Sequence, residues 1–130
     1  MEEKIHILLV DDEPDFVESM SLWLKAKGYF VSVASSGRKA IQIIKEQSLH
    51  IVFLDIKMPV MDGIETLRRI RQINQKLPVI IITAYADEEK FDQTQELNVS
   101  GFFAKDDDLK KLQDIINFTL TTYKKIWKKS

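Results

Sequence analysis

Cysteine is absent from this 130-residue chain, which excludes disulfides and thiolate metal sites and fits a reducing cytosol. Glycine and proline are scarce, at four and three residues, so neither a linker-like nor a low-complexity segment stands out. Net charge is nearly missing too. Nineteen Lys and Arg stand against 20 Asp and Glu, a formal charge of -1, and no overall field draws the chain to nucleic acid or to a membrane. There is no long apolar run near the start: MEEKIHILLV begins acidic and holds six apolar residues, too few for a signal core or a membrane span. The expectation is a cytoplasmic protein without direct nucleic-acid or membrane binding. What remains is ordinary globular material, 45% hydrophobic and 30% charged, enough for one domain over residues 1–130 with a core of usual size.

Five short runs read as strands: Ile5 to Val10, Tyr29 to Ala34, Ile51 to Leu54, Val79 to Ile82 and Phe102 to Ala104. Near-continuous apolar runs such as VIII suit central strands covered on both faces. Segments with helical spacing lie between them. The first places Phe16, Met20, Trp23 and Lys27 on one face, with Pro14 in its first turn and Gly28 at its end. Ile41 and Ile44 give the second helix an apolar side after Ser35 or Ser36 as N-cap; Ile64, Leu67 and Ile70 do so for the third, capped by Asp62. The fourth, DEEKFDQTQEL, has only Phe91 and Leu97 as large apolar residues and is expected to be the loosest element. The last runs from about Asp107 towards Trp127 with Leu109, Leu112, Ile116, Leu120, Tyr123 and Trp127 as its stripe. Asp106, Asp107 and Asp108 stand at its start, and Lys124, Lys125, Lys128 and Lys129 near its end. The order βαβαβαβαβα predicts an α/β fold with right-handed crossovers and helices on both faces of a parallel sheet.

In open α/β sheets, ligands bind outside the carboxyl ends of the strands. Strand one is followed by Asp11, Asp12 and Glu13; strand three by Asp55; strand four by Thr83; strand five by Lys105. Taken singly, each has an ordinary explanation: a cap or turn for Asp11 or Asp12, a first-turn charge for Glu13, a solvated amine for Lys105, a satisfied hydroxyl for Thr83. Together they form a set able to bind a hard cation or a phosphate, as expected of a site for phosphoryl transfer if Asp55 is the nucleophile. Mg²⁺ takes oxygen ligands and keeps several waters, so two or three carboxylates suffice, and Asp12 and Asp55 are expected to supply them. Clustered carboxylates repel one another and invite a cation. Transfer to a carboxylate nucleophile needs positioning and offset charge more than covalent help, and Lys105 is the evident ammonium.

These residues sit in DDEPD at 11–15, FLDIKMPVMDG at 53–63, TA at 83–84 and the Lys at 105. The chain resembles the response-regulator receiver domains of two-component signalling over about residues 4–122, with 123–130 as the end of the last helix and a tail. The resemblance implies a flavodoxin-like (βα)5 three-layer sandwich with a five-stranded parallel sheet in the order 2-1-3-4-5. It implies Asp55 as phosphoacceptor, and Asp11, Asp12, Asp55 and the backbone carbonyl of Lys57 as Mg²⁺ ligands. Lys105 would pair with Asp55 and then with the phosphoryl group, while Thr83 and Phe102 would form the switch. Pro59 would hold Met58 extended, and Gly63 would permit a tight start to the third helix.

The sequence departs from the family pattern in three places. Phe102 stands where many receivers have Tyr, Asp106 follows Lys105 where Pro is usual, and NVSGFF replaces the commoner Gly-Ala run. A cis bond before a non-proline residue costs about 2.5–4 kcal/mol, so a trans or strained Lys105–Asp106 bond is expected. The resemblance implies a sensor histidine kinase or phosphotransfer protein as donor and a downstream output domain or protein as receiver of the signal. Lys57 and Tyr85 are expected to affect water access and so the phosphoryl lifetime. Tyr123, Ile126 and Trp127 leave a homodimer open. Three other readings compete: an aspartyl phosphatase, disfavoured because Lys57 stands where its general acid belongs; a receiver-like binding module that takes no phosphate; and a flavin site, disfavoured by the lack of a Ser/Thr-rich loop after strand one. Turnover of free substrates is not expected.

Overall fold

The computed structural model describes residues 4–58, 62–84 and 88–128, with side chains left aside at 88–91 and 123–128. The elements run β1 (His6–Val10), α1 (Pro14–Ala26), β2 (Phe30–Ala34), α2 (Gly37–Glu46), β3 (Ile51–Asp55), α3 (Gly63–Ile73), β4 (Val79–Thr83), α4 (Glu88–Gln95), β5 (Gly101–Ala104) and α5 (Leu109–Lys128). The strands form one parallel sheet in the order β2-β1-β3-β4-β5, as the resemblance implied. Order reverses at β1, so the crevice between the loops after β1 and β3 opens at the carboxyl edge of the sheet.

Strand alternation divides the core in two. Ile7 and Leu9 of β1, Ile51 and Phe53 of β3, Ile80 and Ile82 of β4 and Phe103 of β5 face one side, where Met20, Leu24, Leu112 and Ile116 of α1 and α5 cover them. Leu8, Val10, Val52, Leu54, Val79 and Ile81 face the other, under Ala40 of α2 and Ile64, Leu67 and Ile70 of α3. Central strands covered on both faces therefore carry unbroken apolar runs: β3 is buried at all five positions.

Helix starts follow their caps. Ser36, not Ser35, caps α2 by accepting the Lys39 N–H, and Asp62 caps α3 by accepting the Glu65 N–H at 2.9 Å. Gly28, at φ 96°, takes the left-handed conformation that ends α1. The buried face of α1 differs from the expected stripe: Met20 and Leu24 are its centre, Phe16, Val17 and Trp23 flank it, and Lys27 is exposed as the C-cap. Leu24 lies four residues after Met20, so the true face is one step round from the one that Lys27 marked. In α5, Leu109 is exposed, whereas Leu112, Ile116 and Thr119 are buried. Among the described residues every peptide bond is trans, including Lys105–Asp106. Pro59, Tyr85 and Lys129, and the side chains of Phe91, Tyr123, Lys124, Lys125, Ile126, Trp127 and Lys128, lie outside the described residues.

Candidate functional site

Alternation along the strands decides which side chains meet at the carboxyl edge. Asp55 follows Ile51 and Phe53 in phase and so belongs to the α1/α5 side of the sheet; Asp11 continues Ile7 and Leu9, and Lys105 continues Phe103. The Asp11 N–H donates to the Ala34 carbonyl and the Lys105 N–H to the Thr83 carbonyl, which carries the ladder past the formal strand ends and keeps that phase. Three charged residues from three strands thus converge. Thr83 is in phase with Val79 and Ile81 and falls on the opposite side, where Phe102 is half-buried against the α2/α3 core. The structure separates the predicted residues into a charged cluster and a Thr83–Phe102 pair on the other face, joined through the Thr83–Lys105 backbone bond.

Asp11 and Asp55 are held alike. The Glu13 N–H donates to Asp11 Oδ1 at 3.0 Å and the Lys57 N–H to Asp55 Oδ1 at 3.1 Å, so each carboxylate is oriented by the amide two residues on. Both are nearly inaccessible, at 1% and 3% exposure. Gly63 makes room for this turn: a Cβ there would stand 2.2 Å from the Asp55 carbonyl oxygen and 2.5 Å from Ile56 Cα. The Gly63 N–H donates to the Ile56 carbonyl at 2.8 Å, drawing the start of α3 directly against the end of β3.

The Lys105 ammonium, only 10% exposed, lies 2.8 Å from Asp11 Oδ2, 2.5 Å from Glu13 Oε1 and 3.3 Å from Asp55 Oδ2. Its Nζ also sits over the Phe16 ring, 4.7 Å from the centroid. Burial acts to lower the Lys105 pKa, but the close approach of Asp11, then Glu13 and the charge of Asp55, outweigh it and hold the ammonium above its ordinary range. For Asp55, burial and then the Asp11 charge push the pKa up to about 6, against the opposing pull of the Lys57 N–H and Lys105. Lys105 is therefore not a solvated surface amine. Nor is Glu13 a simple first-turn charge: it occupies the N-cap position of α1 without capping it, and its carboxylate goes to Lys105. Sequence reading missed this role and that of Phe16, although Glu13 directly follows the acid pair.

One oxygen each from Asp11, Asp12 and Asp55 lies within 4.8 Å of the others. Asp12 is exposed, which leaves an approach from solvent. Asp11 Oδ2 is buried and, though near the ammonium, sits off the line of a hydrogen bond. An all-oxygen set with an incompletely satisfied buried anion fits a hard divalent cation, which takes carboxylate and water ligands. Among the described residues no helix is long and apolar enough to cross a membrane.

Comparison with known proteins agrees with this geometry. The response regulator receiver domain model matches residues 7–117. The chain is 34% identical over 116 residues to sporulation initiation phosphotransferase F of Bacillus subtilis, covering 89% of this chain and 92% of that protein. It is 35% identical over 111 residues to the transcriptional regulatory protein ZraR of Escherichia coli, covering 85% of this chain but 25% of that protein. The chain thus spans about a quarter of the length of that regulator. A receiver domain protein from Methanospirillum hungatei has the same fold, with a TM-score of 0.90 at 24% identity over 95% of this chain and 98% of that one. With its strand order, its carboxylate cluster and these matches in agreement, the chain belongs to the response regulator receiver domain family of two-component systems.

Proposed function

We propose that Asp55 accepts a phosphoryl group from a phosphohistidine donor, a sensor histidine kinase or phosphotransfer protein, in a reaction that needs Mg²⁺. The single observation that carries this reading is the convergence of buried Asp55 with Asp11, Asp12 and Lys105 at one sheet edge. An Asp55 carboxylate oxygen attacks phosphorus, the P–N bond breaks, and the imidazole leaves with the bonding pair and takes up a proton. Asp11, Asp12, Asp55 and the Lys57 carbonyl would hold the ion, which offsets charge on the phosphoryl oxygens. The Lys57 N–H keeps the Asp55 carboxylate aimed, and Lys105 supplies a second positive charge. The domain takes the group onto itself and does not turn over free phosphoesters.

Thr83 then turns to the phosphoryl group, and Phe102, on the same face of the sheet, repacks as Thr83 leaves its place. Because β4 and β5 are paired from Ile80–Gly101 to Thr83–Ala104, that movement reaches the α4-β5-α5 face. Phe118 of α5, 71% exposed, is an apolar contact that this helix offers to a downstream protein, an output domain or a second copy. Likeness over most of its length to a phosphotransferase supports a relay role; likeness to one part of a transcriptional regulator supports control of an output domain. The test is phosphorylation by a histidine kinase or phosphoramidate with Mg²⁺: the wild type gains one acid-stable, hydroxylamine-labile phosphoryl group and Asp55→Asn gains none. Equal uptake by the two proteins sinks the assignment.

A further inference from the structure

Three carboxylates surround the Lys105 ammonium, whose position among them sets how near each one stands. Its Nζ stands 2.5 Å from Glu13, 2.8 Å from Asp11 and 3.3 Å from Asp55, so the proposed phosphoacceptor is the most distant of the three. Charge-assisted N–H···O contacts settle at about 2.7–2.9 Å, which makes the Asp55 contact a loose one. Glu13 differs from its two competitors in having no other task. Its oxygens are not among those that gather for a cation, and at the N-cap of α1 its side chain makes no capping bond. It reaches in from a position 60% exposed to hold an ammonium only 10% exposed.

We infer that Glu13 is a positioning residue, a latch that holds the Lys105 ammonium back from Asp55 in the unphosphorylated domain and must let go when a phosphoryl group arrives. The inference rests on Asp55 being the phosphoacceptor. A phosphoryl oxygen on Asp55 needs a full charge-assisted bond from Lys105, and the ammonium comes within that range by moving away from the Glu13 carboxylate, its shortest contact. Asp11 cannot be the one released as readily, because it is buried and fixed by the Glu13 N–H. Glu13 is exposed, and water takes over its carboxylate once the ammonium moves.

Beryllofluoride with Mg²⁺, a stand-in for the phosphoryl group, reads the latch as an apparent affinity. An exposed ion pair is weak, so Glu13→Gln is expected to tighten beryllofluoride binding by about twofold to fivefold. Glu13→Asp keeps the charge but is one methylene shorter, and Asp readily turns to cap the helix; it is expected to behave like Gln. If Glu13→Asp instead behaves like the wild type while Gln tightens binding, general repulsion of the anion is at work and the latch is overturned. Unchanged or weaker binding by Glu13→Gln also overturns it. A second measurement is independent of phosphoryl chemistry: the ¹⁵N signal of the Lys105 ammonium in metal-free protein shifts in both variants, and the absence of a shift overturns the contact. Failure of the wild type itself to bind beryllofluoride rejects the phosphoacceptor reading, a result distinct from wild-type binding that Glu13 does not affect.

Discussion

Replacing Asp55 with Asn should make the metal-free domain more stable, although it removes the residue on which the proposed function depends. Asp55 is 3% exposed, and burial together with the Asp11 charge raises its pKa from 3.8 to about 6. Two pKa units correspond to about 3 kcal/mol of strain placed on the folded state once the group ionises. Between pH 4 and 6 the unfolded chain has released this proton while the folded protein retains it, so stability falls as pH rises through that window. Above about pH 6 the loss is complete. Asn has the same shape, its carbonyl accepts the Lys57 N–H that now meets Asp55 Oδ1, and its amide donates towards Asp11. The expected gain at pH 7 is about 1–3 kcal/mol, allowing for the attraction to Lys105 that is lost with the charge. For a domain of this length that raises Tm by roughly 5–10 °C. Urea unfolding followed by tryptophan fluorescence in EDTA, from pH 4 to 7.5, measures it. An Asn variant no more stable than the wild type at pH 7, or an advantage that does not shrink towards pH 4, would refute the reasoning.

Three further perturbations test other parts of the structure. Lys105→Met leaves Asp11 and Asp55 buried without their cation and should cost about 3 kcal/mol at pH 7 in EDTA, less at pH 5 where Asp55 is protonated; urea midpoints at the two pH values check this. Gly63→Ala puts a methyl group 2.2 Å from the Asp55 carbonyl oxygen, against backbone that cannot rotate away, so a loss of about 2–3 kcal/mol and slower phosphorylation are expected by thermal unfolding and phosphoramidate uptake. Arg71 donates to the carbonyls of Asn74, Leu77, Leu97 and Asn98, tying the end of α3 to the residues after α4. Arg71→Gln should cost about 2 kcal/mol and speed amide hydrogen exchange selectively around Leu97 and Asn98.

Local signals carried much of the way. The Ser36 and Asp62 caps, the Gly28 stop and the apolar strands depend on spacings of a few residues, and the structure keeps them. Where reading went astray, the deciding neighbour lay far along the chain. Lys27 continued a helical period but met solvent, because the position of β1 and β3 under α1 chose Met20 and Leu24 as the buried face. Leu109 opened an apolar stripe yet stands outside the core, since α5 first meets the sheet at Leu112. Glu13 looked like a dipole charge until β5 brought Lys105, 92 residues later, within reach of its carboxylate.

The chain alone determined that oxygen-bearing and cationic side chains would stand at one edge of a parallel sheet, because hydrophobic runs, turns and caps are set by neighbouring residues. Only the tertiary structure decided their relations. Strand phase put Asp11, Asp55 and Lys105 on one face and Thr83 with Phe102 on the other; sheet order brought β1, β3 and β5 loops to one crevice; and burial, with the Asp11 charge beside it, pushed the pKa of the Asp55 carboxylate up to about 6. Desolvation and charge repulsion depend on distances through space, and those exist only after the chain has folded.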